Sequence, residues 1–68
     1  MTNNDTAQRQ SYLSRITEKQ REATELSIQL KLDAEESEDV SVLAEATRTL
    51  EDAVREIERA RRVLVAAR

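Results

Sequence analysis

The sequence contains no cysteine, histidine, glycine, proline, tryptophan or phenylalanine, and each absence excludes something. Without cysteine there is no disulfide framework, and with histidine missing too there is no thiolate or imidazole metal site. A serine nucleophile would have no imidazole base to activate it. The lack of glycine and proline leaves no strong breaker inside any segment. Tyr12 is the single aromatic residue, too little to anchor a large core. No apolar stretch approaches the roughly 18 residues of a membrane helix, and the start is not a charged-then-apolar leader. The chain therefore reads as a soluble, cytoplasmic protein without membrane insertion, cofactor or small-molecule substrate.

What is present is charge and helical periodicity. Sixty-eight residues carry a net charge of −3, with acids and bases interspersed, unlike the markedly basic surface that nucleic acid usually demands. From residue 43 onward, Leu43, Leu50, Ile57 and Leu64 alternate with Ala46, Ala53, Ala60 and Ala67. Each set recurs every seven residues, and the sets lie three and four apart, which is the a/d seam of a heptad helix. Large residues on one row and alanine on the other allow a second helix to approach closely. A chain this short needs a staple, a metal or an assembly partner to be stable. With the first two excluded, only oligomerisation or a helical protein partner remains.

Along the chain, residues 1–6 (MTNNDT) are polar and read as a frayed end, with Asp5 and Gln8 spaced as a capping pair. A first helix is expected over 7–32, with Tyr12, Leu13, Ile16, Ala23, Leu26 and Leu30 near one face. Lys19 and Gln20 interrupt that face, and Arg21–Glu25 supports an exposed side. Residues 25–33 (ELSIQLKLD) alternate polar and apolar, which taken alone is a half-buried strand. A strand needs a partner, which only a second copy could supply, so helix is the reading adopted and Ile28 and Leu32 become surplus apolar surface. The acidic stretch 33–37 reads as the turn, with Asp33 or Ser37 as the cap of a second helix over 38–67. Glu38 and Asp39 would sit at its positive end. Glu51–Arg55 and Glu58–Arg62 are spaced as i,i+4 pairs, and Arg61, Arg62 and Arg68 suit the negative end. The expected fold class is an all-α, antiparallel two-helix hairpin completed as a helical bundle by a second copy or a partner. One continuous helix is the alternative.

Catalytic chemistry finds little support. Serine and threonine hydroxyls are plentiful, but Lys19 and Lys31 are the only lysines, and no carboxylate stands apart in an apolar setting that would raise its pKa. Calcium loops need an ordered ligand spacing and a glycine that the acidic stretch lacks. Arg55, Arg59, Arg61 and Arg62 share their helix with Glu51, Asp52, Glu56 and Glu58, as on a solvated charged face. The end of the helix is less bland, because no single seam can bury Val63, Leu64, Val65, Ala66 and Ala67 together.

The stretch 40–57 (VSVLAEATRTLEDAVREI) resembles the second helix of the small co-chaperones of type III secretion needle subunits, the YscE/EscE type. The shared pattern is Leu50, Glu51, Ala53, Val54 and Ile57 preceded by Val40, Val42 and Leu43, about a quarter of the chain, and the family's turn glycine is missing. That resemblance implies a helical hairpin that binds a helical-repeat chaperone and keeps a needle subunit from polymerising. Val42, Leu43, Leu50, Ala53, Val54 and Ile57 would carry the role. The turn 32–36 (LDAEE) is similar to that of the Rop family of RNA-binding hairpins, but Leu13, Thr17 and Arg21 offer no aromatic face for bases. The expected function is thus a helical protein-binding module, in its sharpest form a secretion co-chaperone. Its partner-binding residues would be the ladder from Leu43 to Leu64, including Ala46, Leu50, Ala53, Ile57 and Ala60, with Val42, Val54 and Val63 beside it. The alternative is a homodimeric four-helix-bundle regulator that binds RNA or inhibits a larger complex.

Overall fold

The computed structural model describes residues 2–68. Two α-helices, α1 (Thr2–Glu36) and α2 (Val40–Ala66), account for nearly all of them, and no strand occurs among the described residues. The protein is all-α, with the element order of a helical hairpin. It divides into two units, one per helix.

Helix α1 is longer than the sequence suggested at both ends. It starts at Thr2, not Ala7, and Asp5 lies within its first turn instead of capping it; Met1 lies outside the described residues. Threonine and asparagine cost a helix at most about 0.7 kcal/mol each relative to alanine, too little to hold five residues out of a 35-residue helix. The strand-like stretch 25–33 is helical throughout. Glu25, Leu26, Gln29, Leu30 and Lys31 are good helix formers, and the hydroxyls that compete for backbone bonds are satisfied within the helix. Thr17 Oγ1 donates to the Leu13 carbonyl at 3.0 Å, Thr24 Oγ1 to Gln20 at 3.0 Å, and Ser27 Oγ to Thr24 at 3.1 Å. Helix α1 is polar nearly all round and only weakly amphipathic.

Only the end of the acidic stretch is the turn. Asp33, Ala34, Glu35 and Glu36 form the last turn of α1, and only Ser37, Glu38 and Asp39 are non-helical. Alanine and glutamate propagate a helix well, so local propensity outweighs the charge. The arrangement has a cost: three carboxylates occupy the negative end of the macrodipole with no basic residue in that turn, an exposed mismatch worth about 0.3–1 kcal/mol per charge. The chain restarts because of Asp39, not Asp33 or Ser37. Its backbone is extended (φ −91°, ψ 106°), and its carboxylate accepts from the Ser41 amide at 3.0 Å, the Val42 amide at 3.4 Å and the Ser41 hydroxyl at 2.7 Å. Two of the orphan amides of the first turn of α2 are thereby satisfied.

Helix α2 is strongly amphipathic. The expected Glu51–Arg55, Glu58–Arg62 and Arg21–Glu25 pairs are not the ones formed among the described residues. Arg55 pairs with Asp52, Arg59 with Glu56 at 3.5 Å, and Lys19 with Glu22 at 3.2 Å, all at i,i+3 spacing and exposed. Such pairs contribute little singly. With no glycine to close it, α2 ends by tightening: the Ala67 and Arg68 amides donate to Leu64 and Val65 carbonyls, each at 3.3 Å. The last turn contains no basic residue, so Arg61 and Arg62 lie just before the end they were expected to complement, and Arg68 lies beyond it.

Candidate protein-binding face

Heptad spacing becomes a physical stripe only if α2 is unbroken, and it is, from Val40 to Ala66. Leu43, Leu50, Ile57 and Leu64 therefore form one row about two turns apart, and Ala46, Ala53 and Ala60 form the row beside it. Ala67, the last rung, is the C-cap residue with φ −88° and ψ −2°, close enough to helical values to continue the row. Thr47, which flanks the stripe, returns its hydroxyl to the Leu43 carbonyl at 2.8 Å and so leaves no unsatisfied donor there.

None of residues 4–68 is buried. Leu43 and Ala46 are half-buried, but exposure rises along the stripe, from 40% at Leu50 to 60% at Ile57 and 63% at Leu64. Val42, Val54 and Val63 flank the ladder at heptad positions next to the seam and are each about half exposed or more. All ten residues singled out from the sequence thus lie on α2, on or beside one apolar stripe that α2 by itself leaves largely exposed. Val65 widens the patch at the C-terminal end. The charged pairs Asp52–Arg55 and Glu56–Arg59 lie on the other side or at its margin, so among the described residues no ion pair crosses the stripe.

Helix α1 presents nothing comparable. Its apolar residues Tyr12, Leu13, Ile16, Leu26, Ile28 and Leu32 are exposed and scattered among polar ones, with Arg15 stacked over the Tyr12 ring at 5.4 Å. Leu30 and Ala34 are the exceptions, half-buried one turn apart. Ala34 escaped sequence reasoning because it sits inside the acidic stretch, and the only signal was its four-residue spacing from Leu30. A shallow open trough on α1 is lined by Gln10, Leu13, Ser14, Thr17, Glu18 and Arg21. It is the outer surface of one helix and does not enclose a ligand.

The titratable groups add one feature. Donation by the Ser41 hydroxyl, then by the Ser41 and Val42 amides, holds the Asp39 carboxyl below its ordinary value. That is the electrostatics of a helix cap, and no ligand is needed to explain it. Among the described residues no three carboxylates converge as metal ligands, and no helix is long and apolar enough to cross a membrane. What the geometry offers is an apolar stripe with a ridge of large side chains beside a groove of alanines. No protein-family model, curated protein or solved structure matches the chain.

Proposed function

We propose that this chain is a helical protein-binding module, cytoplasmic and without catalytic activity, whose docking face is the Leu/Ala ladder of α2. The observation that carries the proposal is the open stripe from Leu50 to Leu64, which keeps 40–63% of its large side chains in water. A contiguous apolar patch of this kind, on a helix with a polar opposite face, marks an interaction surface. Alanine at every second rung lets the partner's backbone come close, so the partner is itself a helix seated ridge into groove. In its sharpest form the module is a co-chaperone that helps keep a secretion-apparatus subunit soluble. That version rests on the resemblance over 40–57, with Val42, Leu43, Leu50, Ala53, Val54 and Ile57 at the contact.

The test compares the full-length protein with its Ile57→Arg variant, each purified natively from its own host and sized by light scattering. The proposal expects wild-type protein in a defined complex, with itself or with a helical partner, and loss of that complex in the variant. A complex that survives Ile57→Arg unchanged refutes the assignment of the ladder as the docking face.

A further inference from the structure

We infer that the helix seated on this ladder is the α2 of a second copy, running antiparallel and in one defined register; this rests on the docking role just proposed. Two independent features of α2 lead there.

The first is volume. In a parallel pair of heptad helices, a faces a and d faces d, so this seam would alternate Leu–Leu layers with Ala–Ala layers. The leucine layers would hold the helices apart, and the alanine layers would then be voids. In an antiparallel pair, a faces d, and every layer contains one large and one small side chain. The helices can then approach to one uniform, short distance along the whole seam, with large residues interdigitating against small ones. The sequence supports one full-length register. Leu43 meets Ala67 of the second copy, Leu50 meets Ala60, Ile57 meets Ala53 and Leu64 meets Ala46, each repeated by symmetry, giving eight mixed layers. Slipping by a heptad leaves six such layers and uncovers a leucine on each helix. The two-fold axis of the full register passes beside Arg55, which places Val54 opposite its own symmetry mate at the seam's edge. A surplus apolar residue of α2 thereby gains a reason.

The second feature is charge. Residues 38–53 contain five acids and one base, whereas residues 54–68 contain five bases and two acids. The division falls within two residues of the axis that packing alone selects. An antiparallel second copy lays the acidic half of each helix along the basic half of the other and opposes the two macrodipoles. A parallel copy would put acid on acid and base on base, which costs association at ordinary salt. The same register brings Glu51 to the flank and level of the second copy's Arg61. An unrelated helix would have to reproduce both the alanine spacing and the reversed charge gradient; a second copy provides both by symmetry.

The experiment uses the full chain, which has no native cysteine to confuse cross-linking. Two single-cysteine variants, Ala46→Cys and Leu64→Cys, are oxidised separately and as a mixture, with products weighed by mass spectrometry. Light scattering and thermal circular dichroism on the wild type accompany them. The antiparallel register puts position 46 against position 64 but separates 46 from its own mate by about 27 Å along the axis. Mixed-chain disulfide should therefore exceed self-linked Ala46→Cys product by roughly tenfold or more, since a disulfide tolerates only a few ångströms between Cβ atoms. Dominant self-linking of Ala46→Cys would show a parallel pair and overturn the inference. A dimer that forms neither product would overturn the register. A poorly helical monomer would overturn the second copy as occupant while leaving the docking role to another partner. A monomer that melts cooperatively by itself would overturn the docking role too, because the stripe would then need no cover.

Discussion

Ile57→Ala is the most informative single truncation, because Ile57 combines a central place in the ladder with a side chain still 60% exposed. Helix docking must cover that exposed fraction, and the variant removes three carbons from it. At about 0.8 kcal/mol per buried methylene, scaled by the fraction left in water, the loss is about 1.5 kcal/mol per copy. In a symmetric pair the change occurs twice, so association weakens by about 3 kcal/mol, or roughly a hundredfold in Kd. The facing residue is an alanine that cannot expand into the gap, so a cavity term adds to this figure. Sedimentation equilibrium over a concentration series measures the Kd directly, and circular dichroism at matched concentrations reports whether helix is lost with assembly. Arg48→Ala serves as the control: Arg48 is exposed on the face opposite the stripe, and its removal should change stability by no more than about 0.5 kcal/mol. A Kd for Ile57→Ala within a fewfold of wild type, or an equal loss in Arg48→Ala, would refute the reasoning.

The same stripe yields one further prediction and its cap two. Ala53→Leu should disrupt assembly more than Ala44→Leu, because position 53 lies in the close-packed row and position 44 faces away. Overpacking costs about 1–3 kcal/mol per site, and equal tolerance in a sizing assay would show the seam to be misassigned. Asp39→Ala should fray the first turn of α2, seen as faster amide exchange at Ser41 and Val42, the two amides that Asp39 accepts. The pH dependence has a definite sign. Folding lowers the Asp39 pKa from 3.8, so its contribution is complete above that value and lost as pH falls through the lower folded one. Helicity of wild type should decline below pH 4 by a component that Asp39→Ala lacks, and parallel acid titrations of the two would contradict the cap assignment.

The sequence by itself determined the class of the fold and the place of the apolar stripe on α2. Both depend on information within one or two helical turns. With no glycine or proline, and with Leu43 through Ala67 in strict heptad spacing, no arrangement but a helix satisfies the pattern. Every residue assigned to the ladder lies where the spacing put it. Decisions between near-equal local free energies were not legible. Asp33, Ser37 and Asp39 are all competent caps, and only the extended backbone at Asp39, with its bonds to Ser41 and Val42, shows which one took the role. Acidity suggested a break from Asp33 onward, whereas helix propensity carries the chain through to Glu36. The alternation in 25–33 taken alone fits a strand, and the helix adopted for want of a pairing strand is what forms. Only the three-dimensional structure could show that α2 by itself leaves Leu50, Ile57 and Leu64 exposed. Exposure is a property of what surrounds a side chain in space, and heptad spacing specifies a face without specifying what covers it.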